Sequence, residues 1–255
     1  MPGRGRSVEL LAGLAGVAIF LLLWEASARF VWKDPQVLPA PTQALLQAMT
    51  VLTPRRLAEH VGISLFRIFA GFSLAAIVGI GLGILCGWSR WATAVVRPFV
   101  EILRPIPPLA WIPIAIIWFG LGEGSKIFVI FLGAFFPIFT SAWAGTAMVP
   151  PVLLRAAETM EVRGLKLLAK VVVPAAFPDI ATGLRIGFGL SFGILVAAEL
   201  IAARSGMGYL VMQSRQLGQL GISIFGIFLI GLVALAVDHQ FGVVIRRTIG
   251  RWSSV

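Results

Sequence analysis

The residues of this chain that could do chemistry are few, and the first set resembles a phosphate-binding loop. Residues 120–126 (GLGEGSK) combine glycines with a lysine. A nucleotide-binding loop needs glycine directly before the lysine and a hydroxyl residue directly after it, so that backbone amides and the ammonium group converge on phosphate. Here Ser125 precedes Lys126 and Ile127 follows it. The spacing therefore predicts a turn, and no other stretch supplies a nucleotide site.

Catalytic and metal-binding groups are equally scarce. The chain has two histidines, His60 and His239, and one cysteine, Cys86. A lone cysteine forms no internal disulfide, and two histidines so far apart in sequence leave too few ligands for a metal site. No nucleophile elbow or HExxH motif is present. We therefore predict no catalytic residue and no metal, and we keep an intramembrane enzyme as an alternative.

The elements that carry these residues belong to a membrane protein. Hydrophobic residues make up 58% of the chain, charged residues 13%, and the mean hydropathy is +0.95. Because a water-soluble domain carries about a quarter charged residues, this composition excludes one. The net charge of +10 would suggest a nucleic-acid partner. The basic residues are scattered singly between apolar runs, however, as in the loops of a membrane protein, so we predict no nucleic acid.

Charge-free runs of about 20 residues, the length that crosses a bilayer, locate the spans. Four of them are 68–87, 105–122, 127–154 and 216–237. A fifth span, 178–203, contains Arg185 and Glu199. The first candidate, 10–24, is interpreted as an uncleaved helix, with a cleavable signal peptide as the alternative. Basic residues are more numerous on the side of the N-terminus and in the C-terminal tail, which predicts that both termini are cytoplasmic.

Two further patterns concern packing. Pro41, followed by apolar residues up to Leu52, predicts a short amphipathic helix that lies along the outer membrane surface. Glycines at four-residue spacing predict close approach of helix backbones, with the lining of a path as the alternative. These glycines are Gly79, Gly83 and Gly87, Gly183 and Gly187, and Gly189 and Gly193.

Arg104 stands at the start of a proline-rich stretch that contains Pro105, Pro107, Pro108 and Pro113. Proline frees backbone carbonyls, which lipid cannot satisfy, and a charge within a span is costly, so this segment is expected to border the protein interior or a pathway. An ion pair between Arg104 and Glu101 is the simpler structural alternative.

The most charged stretch, 150–178, lies between two spans, with two prolines at each end. Within it Ala157, Met160 and Gly164 recur at helical spacing, and Glu158 lies on another face. Small residues on one side and charges on the other predict a short helix that docks on a cytoplasmic protein. Binding to anionic lipid is the alternative.

This stretch resembles the coupling loop of binding-protein-dependent ABC importer permeases, whose pattern is Glu-Ala-Ala, three residues, Gly, nine residues and Ile-x-Leu-Pro. Ala156 and Ala157 match the paired alanines, and the ending is matched up to Pro174. Arg155 stands where the family often has Glu, and Glu161 stands where it usually has Gly. The second departure matters because Glu does not adopt glycine's conformations cheaply.

Longer stretches, 101–119, 120–137, 174–189 and 196–210, resemble the subfamily that imports alkanesulfonates, taurine, nitrate and bicarbonate. The resemblance implies an all-α membrane protein of about six transmembrane helices with the type I ABC importer (MetI-like) permease fold. An N-terminal helix and an external amphipathic segment occupy 1–56. The permease core occupies 57–255, with the coupling loop at about 150–178.

The resemblance also implies the function: a permease subunit of a bacterial inner membrane importer, with no enzymatic activity of its own. It would act as a homodimer with two cytoplasmic ABC ATPases, which bind ATP and Mg, and would receive solute from a periplasmic binding protein. No cofactor is expected in this chain. The solute would be a small oxyanion, such as a sulfonate, nitrate or bicarbonate. Import of an aromatic acid or vitamin precursor, or a secondary carrier, is the alternative.

Two sets of site residues follow. The ATPase-coupling set is Arg155, Ala156, Ala157, Glu158, Glu161, Gly164 and Pro174. The set expected along or beside the translocation path at the dimer centre is Arg104, Pro108, Trp111, Arg185, Ser191 and Glu199.

Overall fold

The structure is a computed structural model that describes residues 3–249, and within this range it is helical and contains no strand. Residues 250–255, which hold the end of the tail predicted to be cytoplasmic, lie outside the described residues. The helices are α1 Gly3–Ala26, α2 Pro41–Val51, α3 Pro54–Trp88, α4 Arg90–Leu103, α5 Ile112–Phe119, α6 Glu123–Ala147, α7 Pro151–Thr159, α8 Gly164–Leu167, α9 Val173–Ala202, α10 Met207–Gln216 and α11 Leu220–Ile249. The all-α class is as predicted.

Among the described residues, five helical segments are long and apolar enough to cross a membrane, and a bent pair makes a sixth. The pair is α4 with the segment Pro108–Phe119, and the two halves meet at 90°. The prediction of one continuous span at 105–122 is therefore wrong. Prolines at 105, 107 and 108 remove backbone donors there, so the crossing is divided between α4 and α5.

The helix found near the predicted span 127–154 begins and ends earlier in the chain than predicted. Helix α6 begins at Glu123 and ends at Ala147, and Pro150 begins the separate helix α7. The residue before a proline is disfavoured in helical conformation, so the two adjacent prolines end one helix and allow another to start in a new direction. The predicted short helix after Pro41 is present as α2, which packs its buried Ala44 and Ala48 toward α11.

Helices α3, α6 and α9 form the centre of the bundle, and glycines set their spacing. A Cβ added to Gly83 would lie 2.6 Å from the Ala142 Cβ, and one added to Gly183 would lie 2.6 Å from the Ser141 Cβ. Gly189 and Gly193 face open space instead. The packing interpretation thus holds for the first two glycine groups but not for the third.

The three helices share an aromatic core with α11. Phe188 is fully buried; its ring stacks on Phe241 with a centroid distance of 4.2 Å and meets the edge of Phe72 at 5.0 Å. Aromatic pairs of this kind add to the free energy gained from burial alone. These ring contacts join α3, α9 and α11 in the interior of the bundle.

Candidate functional sites

The predicted coupling loop at about 150–178, hereafter the coupling segment, begins with the short helix α7, which a capping motif closes. Helix α7 ends in a Schellman arrangement, in which the Val162 N–H donates to the Ala157 carbonyl (2.9 Å) and the Glu161 N–H donates to the Glu158 carbonyl (3.0 Å). Glu161 has φ +59°, the left-handed conformation that this motif requires. The sequence concern about Glu161 thus has a structural basis: glycine is favoured at this position because it enters the left-handed region without steric cost.

The segment folds on a small core of its own. Buried Val149, Ala157, Leu167 and Val172 pack together, with Val162 at the edge. Ala157 is only 6% exposed, so within this chain its side chain supports the segment from inside. Val162 packs against the cluster that contains Ala157, and an apolar contact at this position usually accompanies a Schellman motif.

The other predicted coupling residues face outward or end the segment. Arg155, Ala156, Glu158, Glu161 and Gly164 are exposed, and Gly164 also has a positive φ, +60°. Pro174 is half-buried in the first turn of α9. The predicted coupling set omitted the apolar tip of this segment: Met160 is 76% exposed and Leu165 is 79% exposed. Large apolar side chains beside charges on a protruding segment are typical of a protein-docking surface.

At mid-bundle, the break between α4 and α5 borders a cavity. The cavity has a volume of about 480 Å³ and lies between the broken segment, α6 and α9. Its lining residues are Arg104, Pro107, Pro108, Leu109, Gly133, Phe136, Pro137, Thr140, Leu190 and Ile194. Of the predicted path residues, the structure therefore brings Arg104 and Pro108 together.

The predicted pair between Arg104 and Glu101 is not formed. Glu101 instead accepts a hydrogen bond from Arg97 Nε at 2.6 Å. Within the described residues the Arg104 guanidinium has no hydrogen bond or ion pair. Arg104 is thus an exposed cation at the edge of an apolar cavity.

The remaining path residues lie elsewhere. Arg185 is exposed on α9, and Trp111 is half-buried, with an indole N–H that lacks a partner. Ser191 is fully buried and donates to the Gly187 carbonyl of its own helix (2.8 Å). Glu199 is also buried, and it belongs to an ionic cluster within the chain. The structure therefore does not gather the six residues into one site.

The ionic cluster joins α3 to α6 and α9. Arg67, fully buried on α3, makes two hydrogen bonds to the Glu123 carboxylate, from Nε (2.5 Å) and Nη2 (2.8 Å). Its Nη1 donates to Glu199 Oε1 (2.6 Å) and to the Ser205 carbonyl (2.7 Å), and its Nη2 also donates to Ser205 Oγ (3.2 Å). All five guanidinium N–H groups therefore have partners, which offsets the cost of burying the charge.

Lys126 completes the cluster and explains the glycine-rich segment before it. Its ammonium group is buried and donates to the carbonyls of Leu121 (3.2 Å) and Gly122 (2.8 Å). The Ser125 hydroxyl donates to the same Gly122 carbonyl (3.1 Å). These polar groups satisfy the backbone of the turn, in agreement with the prediction of a turn.

The same cluster caps helix α10. The first amides of a helix lack partners within the helix, and here three of them meet a side chain. The Gly206 N–H donates to His60 Nδ1 (3.0 Å), the Met207 N–H to Ser64 Oγ (2.9 Å) and the Gly208 N–H to Glu199 Oε2 (2.8 Å). His60, Ser64 and Arg67 follow each other along one face of α3, so that face and Glu199 hold the start of α10. This cluster lies at the end of α6 and α9 opposite the coupling segment.

Comparison with known proteins identifies relatives across nearly the whole chain. The family model described as "Binding-protein-dependent transport system inner membrane component" matches residues 79–250. The taurine transport system permease protein of Escherichia coli is 36% identical over 246 residues, which cover 94% of this chain and 90% of that protein. The nitrate import permease protein of Synechocystis is 33% identical over 242 residues, 91% of this chain and 87% of that protein.

A solved structure shares the fold. A chain of the MetNI methionine ABC transporter, in an inward-facing conformation, superposes with a TM-score of 0.60 at 20% identity, covering 75% of this chain and 97% of that chain. This likeness confirms the predicted type I importer permease fold.

Proposed function

The chain belongs to the family of binding-protein-dependent transport system inner membrane components, and from this premise we propose that it is the membrane-spanning subunit of an ATP-driven importer. In this proposal two copies form the permease, and each copy receives one cytoplasmic ATPase subunit. A solute-binding protein delivers solute at the opposite membrane face. The chain itself performs no bond chemistry, and ATP and Mg belong to the ATPase.

The exposed apolar tip of the coupling segment carries this proposal. Met160 and Leu165 project from a segment whose own core, built around Ala157, is already complete. Exposed apolar groups of this size gain free energy when a partner covers them. Glu158 and the neighbouring basic residues supply charges that select the partner, since charged rims favour the correct orientation. A cytoplasmic ATPase surface is the partner that fits this segment.

Docking at this segment fixes the orientation. If the ATPase binds α7, the ends of α6 and α9 beside it are cytoplasmic, and the α10 end faces outward. Four spans precede α7 if the bent pair counts as one, so the N-terminus would also be cytoplasmic. Two spans follow α7, so the C-terminus would lie on the same side. The excess of basic residues on that side supports this orientation.

The mechanism then follows from coupling between two arrangements of the dimer. When ATP closes the ATPase pair, each ATPase moves its coupling segment, and the segment transmits the motion to α6 and α9 through Val149 and Val172. Hydrolysis releases the ATPases and favours the inward-open arrangement. A ligand shifts such an equilibrium only by binding one state more tightly than the other.

For the path, we propose that Arg104 and Pro108 line it at the helix break, and that Trp111 and Arg185, which lie away from them in this chain, border it at other points. Arg104 and Pro108 border the cavity at the helix break. Ser191 and Glu199 are buried within the subunit, so they would support the path from beside it. The relatives named for taurine and nitrate support a small oxyanion as the solute.

Co-purification tests the coupling assignment. Replacing Glu158 with Arg inverts an exposed charge on α7, and replacing Met160 with Asp removes apolar surface from the tip. Neither change disturbs the buried core. The matched control is Arg55→Glu, an exposed charge inversion at the far end of α3. We expect the Met160→Asp, Glu158→Arg double variant to lose its ATPase and its solute uptake while the control keeps both. Full retention of the ATPase by the double variant would overturn the assignment.

A further inference from the structure

A second cavity lies at the end of the bundle that carries the coupling segment. It has a volume of about 380 Å³ and is found where α3 and α6 end and α4 begins. Its lining residues are Cys86, Gly87, Trp88, Arg90, Thr93, Trp143 and Ala147. None of them belongs to the predicted coupling set or path set, so the proposed function leaves this cavity unexplained.

The cavity lies at the level where a membrane meets water. Two of the candidate spans end beside it, at Trp88 and at Ala147. Trp88 and Trp143 line it, and the neighbouring Trp91 is 85% exposed. Tryptophans are enriched at membrane–water interfaces, where their rings lie among the lipid head groups. A lipid head group therefore has access to this cavity.

The charge of the cavity favours an anion. Arg90 is the one charged residue among the lining residues, and within the described part of the chain its guanidinium has no hydrogen bond or ion pair. The next arginine of α4, Arg97, is already engaged, since it lies 4.7 Å from the centroid of the Trp143 ring and donates to Glu101. Arginine binds phosphate oxygens through charge-assisted hydrogen bonds. Arg90 is therefore available to a phosphate group.

An apolar surface continues from Arg90 toward the interior of the membrane. Trp91, Val95, Phe99 and Ile102 recur at helical spacing along α4, and each is at least 63% exposed. Val95 and Phe99 also line a groove of about 340 Å³ between α4, α3 and α6. All its lining residues are apolar: Val78, Val95, Val96, Phe99, Val100, Leu103, Phe131, Leu132, Phe135 and Phe136. Such a groove accepts an acyl chain, whereas a polar solute would lose its water there without compensation.

From these features together we infer that the start of α4 binds an anionic phospholipid such as phosphatidylglycerol. The phosphate pairs with Arg90 in the cavity, and one acyl chain follows the row that begins at Trp91. Basic pockets between transmembrane helices bind anionic head groups in this way. The lipid stays bound and is not transported, so the inference goes beyond the proposed function. Only its assignment to the cytoplasmic leaflet rests on the orientation proposed above.

Protection of a thiol tests the head-group site. Cys86→Ala removes the only natural cysteine, after which Thr93→Cys places one thiol in the cavity. The chain is labelled with a neutral maleimide in nanodiscs of phosphatidylcholine, with or without phosphatidylglycerol of the same acyl chains. We expect phosphatidylglycerol to slow labelling about fivefold, the effect of one basic residue beside an anionic membrane surface.

Two arginine variants separate the site from the general charge of the membrane. Arg90→Gln is expected to abolish the protection. Arg163→Gln is the matched control, because it removes an exposed arginine at the same end of the molecule but outside the cavity, and it should leave the protection unchanged. The Thr93 hydroxyl bonds to the Cys86 carbonyl, so Ala147→Cys, on another wall of the cavity, repeats the measurement with Thr93 intact.

The other outcomes contradict the inference in different ways. Protection that survives Arg90→Gln would overturn the role of Arg90. Equal protection by glycerophosphoglycerol, the head group without chains, would indicate a site for a water-soluble phosphate. Disulfide formation between two Ala147→Cys chains, without protection by lipid, would show that the second copy covers the cavity. The labelling uses neither ATP nor ATPase, so it can fail while the ATPase still co-purifies; loss of ATPase binding by the unmodified chain would instead count against the proposed function.

Discussion

Arg67 Nη1 lies 2.6 Å from Glu199 Oε1, and neither side chain is accessible to solvent. These two residues are 132 positions apart, on helices that cross the bundle side by side. The same carboxylate caps helix α10 through the Gly208 amide. One ion pair thus fixes α3, α9 and α10 together at the end of the molecule opposite the coupling segment.

Glu199→Gln keeps the volume of this side chain and removes its charge. The buried guanidinium then loses one of its two acidic partners but keeps Glu123, so the cost is that of a charged hydrogen bond, about 1.5–3 kcal/mol. We expect a clearly lower thermal unfolding midpoint in detergent, measured by intrinsic fluorescence. Ser191→Ala is the matched control, because Ser191 is equally buried on α9 but bonds only to its own helix. An equal midpoint for the two variants would contradict a structural role for the cluster.

Gly206 is the residue that lets the chain pass next to this ion pair. It has φ +116°, and a Cβ there would collide with the Glu199 carboxylate and the Arg67 guanidinium. We expect Gly206→Ala to abolish the folded, monodisperse fraction in size-exclusion chromatography. Gly218→Ala also places alanine at positive φ (+71°) but in open space, so its cost is limited to about 1 kcal/mol. Equal losses for both would show that backbone strain, not crowding, is decisive.

The close approach of α3 and α6 can be tested by comparing substitutions at two neighbouring glycines of α3. Gly83→Val places a branched side chain against Ala142, whereas Gly81→Val faces open space two residues away. The first variant is expected to misfold, because the two backbones cannot separate without breaking the aromatic core. The second is expected to express at the normal level. Normal expression of Gly83→Val, quantified in membranes, would show that the helices are less tightly packed than described.

Glu161→Gly is expected to strengthen the coupling segment. Glycine enters the left-handed conformation at this position without steric cost, and the gain is about 1 kcal/mol. Hydrogen–deuterium exchange of the peptide that contains α7 should therefore slow about fivefold. Gly164→Ala, also at a positive φ and in open space, should change exchange in the opposite direction. Faster exchange after Glu161→Gly would contradict the assigned cap.

The sequence predicted those features that depend on neighbours along the chain. The prolines and the helical periodicity of residues 150–178 predicted a short helix there. The departure from the family pattern at Glu161 identified the position that adopts the left-handed conformation. Local pattern also flagged the proline-rich segment, although its hydropathy suggested one continuous span where the helix is broken.

Features that join distant residues were not predictable in the same way. Arg67 stands directly before the predicted span 68–87, but nothing in the sequence paired it with Glu123 and Glu199. The cavity at Arg104 depends on Gly133 and Leu190, which come from two other helices. Only the packing of the helices brings these three residues together, and no local sequence pattern predicts that packing.

We propose that this chain transports solute with ATP hydrolysed by a partner subunit, and solute uptake by reconstituted vesicles distinguishes this mechanism from its alternatives. Proteoliposomes would contain the chain, its co-purified ATPase and the solute-binding protein, with ATP supplied only on the ATPase side. We expect uptake that requires ATP and fails with the Met160→Asp, Glu158→Arg double variant. Uptake that proceeds without ATP or ATPase, driven by an ion gradient alone, would show instead that the chain is a secondary carrier.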